Sequence, residues 1–363
     1  MYIKNICKEF HLKGNIKKIK LITNGIINNT YKVYYDIDGD ETKYIIQQIN
    51  KNVFKQPDKL MDNITGISRH IIQKLESYDQ KNSRNVLEYM KTADNVSFYV
   101  DENGDYWRCY KFIDDSVTFD STEDLFVIEQ AGKAFGQFQS LLSDYDATTL
   151  HESIPDFHNT KARFIALKDS IALNVADRVE SASDEIDFLL SHEKIASTLC
   201  DSIEKNLLPI RVTHNDTKCN NVLFDEKTHE ALAVIDLDTV MPGLVAYDFG
   251  DAIRCIAATC VEDERDLSKV DINMDKLKAF AKGFVSEVGK NLTENEIESL
   301  HVGILVITLE LASRFLKDYL DGDIYFKINC SDHNLVRAKC QIELVKKIEE
   351  HYDEIKDIIK SFV

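Results

Sequence analysis

The sequence predicts an α+β chain in two lobes, a small antiparallel β lobe followed by a larger, mostly helical one. Three observations carry that expectation. Roughly the first hundred residues alternate short β-prone runs with turns rich in Gly, Asn and Asp. From Thr122 onward, apolar residues recur at helical spacing. The chain has 363 residues, enough for two separate cores at about 150 residues per domain.

Taken in order, residues 16–22 and 30–35 read as strands around a turn holding Asn24, Gly25, Asn28 and Asn29. Such a turn lets backbone N–H groups approach phosphate oxygens; it equally describes any hairpin. Asp38-Gly39 turns the chain into a strand at 43–49, and 98–100 pairs with 106–112 across a turn at 102–105. Phe126, Ala131, Phe135, Phe138 and Leu142 form one stripe of a helix at 123–142. Residues 154–160 are a loop, with Thr160 as cap of the helix that follows. In that loop His158 and Asn159 either lock the backbone or read substrate hydroxyls. A single helix is expected at 183–206, another opens near Tyr247 with Asp248 at its start, and a third spans 271–288. Thr293 and Glu296 form a capping box for a long helix to about residue 320. That helix carries Glu310, Arg314 and Lys317, and the segment 333–363 is one terminal scaffold helix.

Composition narrows the function. A net charge of −18 opposes nucleic acid or anionic membrane as partner. The eight cysteines are scattered singly, without a CxxC pair, which predicts reduced thiols in a cytoplasmic protein. The N-terminal residues have no sustained apolar run, so neither a signal peptide nor an anchor is expected. The most apolar stretch, 302–311, is too short to cross a bilayer.

Between the β-prone runs 210–213 and 222–224 lies a polar loop, and a third run, 231–235, leads directly into Asp236. His214, Asp216, Lys218, Asn220 and Asn221 do not belong in a core strand, nor do they resemble a Gly-, Ser- or Pro-rich solvent loop. Their order fits the protein-kinase template, in which an Asp takes the substrate proton, an Asn follows at a metal ion, and a second Asp lies beyond a hairpin. On that template Asp216 receives the proton, Asn221 and Asp236 hold Mg²⁺ through oxygens, and Lys218 adds a positive charge. Asp238, on the same face as Asp236 in an extended chain, is a further carboxylate that either supports the metal-binding groups or faces substrate. Cys219, inside the loop, lacks the adjacent base a nucleophile needs.

HNDTKCNNVLFD followed by VIDLDTVMPGLVAYDFGD resembles the aminoglycoside phosphotransferase and choline kinase superfamily, and within it the N-acetylhexosamine 1-kinase group. The phrases NGIINNTYKV, WRCYKFID, IPDFHNT and ELASRFLKDYLDGDIYFKI extend the resemblance over nearly the whole chain. It implies a protein-kinase-like fold, with a nucleotide-binding lobe at 1–112 and a helical lobe at 113–363 carrying the catalytic loop, metal site and sugar site. It further implies an ATP- and Mg²⁺-dependent kinase acting on the anomeric hydroxyl of N-acetylglucosamine or N-acetylgalactosamine. Gly25, Asn28, Thr30, Gln47 and the hinge residue Phe112 would face ATP. His158, Asp238, Arg314 and Tyr325 would join Asp216 around the sugar, and Asp248 would brace the catalytic loop. The bland reading of Arg314 is an ion pair with Glu310, four residues back.

One departure stands out. Protein kinases carry a phosphate-binding Lys on the third strand, where this chain has Gln47, and no matching Glu occurs in 60–75. Lys43 or Lys51 is a candidate substitute, and a catalytically silent binding protein is the reading the departure keeps open. The superfamily also leaves choline, amino alcohols, other sugars and aminoglycosides open as substrates. The expected partners are ATP and a small sugar, and the expected state is a monomer or weak dimer.

Overall fold

Two compact units emerge from the computed structural model, which describes residues 2–23, 27–78 and 84–363. One comprises Met1–Thr118, Asp144–Pro155 and Val222–Pro242; the other comprises Phe119–Ser143, Asp156–Asn221 and Gly243–Val363.

The first unit is built on β1 (Asn15–Ile22), β2 (Asn29–Ile37), β3 (Asp40–Gln48), β4 (Tyr99–Val100) and β5 (Tyr106–Lys111), which form one antiparallel sheet in the order β1-β2-β3-β5-β4. Asp38 and Gly39 link β2 to β3 with φ of 53° and 96°, the two positive values that suit strand twist in a tight hairpin. No helix is expected before residue 16, yet α1 (Tyr2–Glu9) forms there. Its Ile3, Ile6 and Cys7, with Phe10 just beyond, recur at helical spacing. They bury against Val33, Tyr35, Tyr44, Ile46, Trp107 and Cys109 of the sheet. Helix α2 (Pro57–Ser77) follows β3, with Pro at its first turn where no N–H is needed. A second sheet joins β6 (Ser116–Val117) to β8 (Val222–Asp225) and β9 (Ala231–Val234); β7 (Arg211–Thr213), earlier in the chain, lies in the other unit.

The second unit is helical. It contains α3 (Leu125–Leu141), α4 (Thr160–Leu173), α5 (Ser183–Ala196), α6 (Thr198–Glu204), α7 (Val245–Ile256), α8 (Met274–Val288), α9 (Glu294–Leu320), α10 (His333–Glu350) and α11 (Tyr352–Lys360). The capping box predicted for α9 is present, with Thr293 and Glu296 satisfying each other's backbone amides. α9 is long and apolar enough to cross a membrane by length and composition, but 83% of its apolar window is buried within the protein. It is the core helix of this unit. α7 packs against it so closely that a Cβ on Gly303 would lie 2.1 Å from the Ala246 carbonyl oxygen, and one on Gly250 would lie 2.4 Å from that of Gly303.

Several expected boundaries shift. The single helix expected at 183–206 is two, broken at Ser197, whose hydroxyl donates back to the Glu193 carbonyl at 2.8 Å. The terminal helix is likewise two, meeting at His351. Asn159, not Thr160, caps α4, its side chain accepting from the Ala162 amide at 3.1 Å. α7 begins at Val245, two residues before the expected start, which places Asp248 inside its first turn rather than at the cap.

Candidate active site

The polar loop of the second unit is fastened to α7 from beneath. Asp248 accepts from the backbone amides of His214 at 2.9 Å and Asn215 at 2.7 Å, and from Gln139 of α3 at 2.5 Å. Burial pushes the Asp248 carboxyl up from its ordinary pKa, and His214 with the three donors works against that push. One turn on, Asp251 accepts from the Thr217 amide at 2.9 Å and from Arg254 at 2.8 Å. Burial alone would raise Asp251, but Arg254 and Lys218 outweigh it and hold the group below the ordinary carboxylate range, with His158 adding to the effect. His214 is fully buried, its ring edge-on to Phe135 and Phe138. It pins the loop, while Asn215 takes a left-handed φ of 64° that turns the chain outward.

That framework gathers the expected catalytic side chains. One Asp216 oxygen lies 2.7 Å from the Lys218 ammonium, and the other accepts from the Asn221 amide at 3.0 Å. The same Asn221 amide donates to the Asp216 carbonyl at 2.8 Å, so its nitrogen is committed inward and its oxygen is left for another partner. Burial pulls the Lys218 ammonium down, but Asp216 prevails and holds it well above its ordinary value.

A second cluster in this unit holds three of the residues assigned by resemblance to the sugar. The His158 Nδ1 is 3.0 Å from Glu310, which is 2% exposed. Arg314 lies 3.5 Å from the same Glu310, with its guanidinium over the rings of Phe157 and Phe326 at 5.3 and 5.7 Å. The expected Glu310–Arg314 pair therefore exists, and it stands among aromatic faces. Among the described residues, two buried polar atoms here have no hydrogen-bond partner: Nε2 of His158 and Nε of Arg163. Burial, then Arg314, pull the Arg163 guanidinium below its ordinary value. Tyr325 is 66% exposed. Its loop is fixed by Asp318, which accepts from the amides of Ile324, Tyr325 and Phe326 at 3.0, 2.8 and 2.9 Å. Sequence reasoning passed over Phe157, Arg163, Asp318 and Phe326. Only the aromatic residues flanking His158 and Tyr325 in sequence gave any signal.

In the first unit, most of the nucleotide candidates fall into one network. Asn28 donates to Asp238 at 2.8 Å, and Gln47 donates to Thr30 at 3.0 Å while accepting from Arg108 at 2.9 Å. Arg108 in turn pairs with Asp238. Asp238, expected to face substrate, thus has one oxygen on Arg108 and the other on Asn28. Burial opposes the charge on Arg108, but Asp238 outweighs it and holds the guanidinium above its ordinary value. Asp236 is exposed and left-handed, at φ 58°. Phe112 spends its amide on the Lys43 carbonyl at 2.9 Å, and its ring lies 3.2 Å below the Lys32 ammonium. Gly25 lies outside the described residues.

The family model of the APH phosphotransferase enzymes matches residues 85–279, just over half of the chain. The chain belongs to the APH phosphotransferase family. It is a phosphotransferase, and its small antiparallel sheet and larger helical region are those of the kinase-like APH fold. Solved structures repeat that fold at low identity. An aminoglycoside phosphotransferase from Alicyclobacillus acidocaldarius is 10% identical, with 99% of this chain and 96% of that one covered and a TM-score of 0.61. A microcompartment-associated aminopropanol kinase is 13% identical over 98% of each chain, with a TM-score of 0.57. A choline kinase from Cryptosporidium parvum is 12% identical over 95% of this chain and 92% of that one, with a TM-score of 0.55. Identities this low speak for the APH fold and not for a substrate.

Proposed function

We propose that this APH-family protein is a cytoplasmic N-acetylhexosamine 1-kinase, transferring the γ-phosphoryl group of ATP to the anomeric hydroxyl of GlcNAc or GalNAc. The observation that carries the reading is the cluster of His158, Glu310 and Arg314 between Phe157 and Phe326. It lies in the same unit as Asp216. An unpartnered buried His nitrogen asks for a hydrogen-bonding ligand. A guanidinium fork beside aromatic faces suits an amide-bearing sugar.

In this reading Asp216 orients the hemiacetal hydroxyl, which is more acidic than an ordinary alcohol, and receives its proton late. Lys218 brings its charge to the place where the phosphoryl group arrives. Asn221, with its uncommitted amide oxygen, and Asp236, with its carboxylate, are the oxygen donors that the kinase template assigns to Mg²⁺. No group of three or more His, Cys, Asp or Glu among the described residues is placed to cage a metal. Mg²⁺ needs no such cage, since it keeps water and substrate phosphate oxygens around one or two protein ligands. When bound, the ion would neutralise charge on the transferring phosphate. Residues 1–112 would carry the nucleotide, with the adenine edge at the hinge. There the Phe112 amide is already spent, and the Ile113 amide makes no hydrogen bond among the described residues.

An ATP-consumption screen over free hexosamines, other sugars, choline and amino alcohols, followed by phosphorus NMR of the product, tests the proposal. Turnover on GlcNAc or GalNAc with the new phosphate on the anomeric carbon is expected. Turnover confined to choline or amino alcohols would overturn the sugar assignment.

A further inference from the structure

The third strand lacks the lysine that protein kinases use on the nucleotide's phosphates, yet a buried cation stands immediately beside the vacancy. The β3–β5 register places Arg108 opposite Gln47. Arg108 is 2% exposed, and its three guanidinium nitrogens are used unequally. Nε donates to Gln47 at 2.9 Å and Nη1 pairs with Asp238, whereas Nη2 has no hydrogen bond among the described residues. The candidate substitutes on the surface are engaged elsewhere. Lys43 is held by Asp114 at 2.6 Å, and Lys51 by Asp105 at 2.8 Å and the Gly104 carbonyl at 2.9 Å.

Gln47 is then explained by its neighbour. A lysine at 47 would set a second ammonium against the Arg108 guanidinium, at a contact now only 2.9 Å long. A glutamine offers that guanidinium an acceptor and passes a donor on to Thr30 at 3.0 Å. Asp238, with its second oxygen on Asn28 at 2.8 Å, fixes the cation as the helix glutamate fixes the lysine in the protein-kinase template.

We propose that Arg108 is the cation that grips the nucleotide phosphates in this protein, its Nη2 donating to an α- or β-phosphate oxygen while Asp238 and Gln47 hold the guanidinium in place. The assignment rests on the ATP reading above. It moves the phosphate-binding charge from β3 to β5 and makes Asp238 a positioning residue for that charge. Arginine suits the role better than lysine because its fork serves an anchoring acceptor and a phosphate oxygen at once.

Calorimetric titrations with MgATP and with adenosine, which lacks phosphates, test it. The double variant Arg108→Gln/Asp238→Asn removes both buried charges together and so leaves no orphaned ion. It is expected to bind adenosine as the unaltered protein does and MgATP at least about 10-fold more weakly, the worth of one charged hydrogen bond. Unchanged MgATP affinity overturns the assignment. An equal loss for both ligands overturns it too, because it marks a purely structural role. If the double variant does not fold, Arg108→Lys keeps Asp238 paired but loses the fork. Several-fold weaker MgATP binding with unchanged adenosine binding is then expected, and no change overturns the proposal. Should the unaltered protein bind no MgATP, the ATP reading itself fails, a result separate from any variant.

Discussion

Two cation–carboxylate pairs in this chain are built in opposite ways. Arg108 and Asp238 are 2% and 6% exposed, whereas Lys218 and Asp216 are 43% and 26% exposed. The deep pair has lost its water and is held by further partners, Gln47 on the guanidinium and Asn28 on the carboxylate. Such a pair adds little net stability over an apolar replacement, yet losing one member is costly because the other is left as an uncompensated buried ion. The shallow pair is still partly hydrated, so each member can exchange its partner for a ligand at small cost. The contrast teaches that burial sorts charge by task. Charges that must not move are desolvated and anchored at several points, and charges that must meet a reacting group keep access to solvent.

The largest effect expected from breaking this contrast is on turnover. Asp216→Asn removes the proton acceptor from the shallow pair and should lower kcat on the order of 10³-fold. The melting temperature should move little, since a partly hydrated pair contributes roughly 0–1 kcal/mol. Measured together, kcat and thermal unfolding decide the matter: near-normal turnover, or a large fall in melting temperature, would show that Asp216 is not the shallow chemical group described here. Asp238→Ala should do the reverse. It strands Arg108 in the first unit and is predicted to cost about 3–5 kcal/mol in urea unfolding. A loss below about 1 kcal/mol would mean that the deep pair is hydrated like the shallow one.

The same division explains what could be read beforehand. The shallow pair lies within one short stretch of loop, so residue order alone exposed Asp216, Lys218 and Asn221. The deep pair joins residues 130 positions apart; nothing in WRCYK marks its Arg as buried, and only the strand register brings it beside Gln47. Glu310 and His158 are likewise 152 positions apart. Residue patterns therefore suggested the sugar cluster through resemblance and paired Glu310 with Arg314, but did not show that Glu310 also holds His158, nor that Arg163 stands nearby with its Nε unpaired. Most secondary structure was legible from periodicity and caps, the Thr293–Glu296 box most clearly. The breaks at Ser197 and His351 carry neither Pro nor Gly, so the helical pattern ran through them unmarked. α1 has the right apolar spacing, but its 8 residues are too few to be stable without the sheet beneath them.

A third buried ionisable group sharpens the comparison with a smaller effect, because it is kept neutral instead of paired. His301 of α9 is 5% exposed, with its ring edge-on to Tyr352 at 4.9 Å. Burial lowers its pKa to about 4 from an ordinary 6.5; Lys356 and Lys360 push the same way, against Glu298 and Asp353. The folded state therefore takes up the proton later than the unfolded state does. The sign follows: this contribution is complete above pH 6.5, fades as the pH falls toward 4, and is gone below it, up to about 3 kcal/mol in all. Unfolding free energies measured from pH 7 to pH 4 for the unaltered protein and for His301→Gln isolate it from the carboxylates, which titrate in both. The variant should show a shallower decline across that window. Parallel curves would mean that His301 reaches solvent and takes up its proton in the folded protein, so that burial in α9 does not exclude an unpaired charge as strictly as the Arg108–Asp238 pair implies.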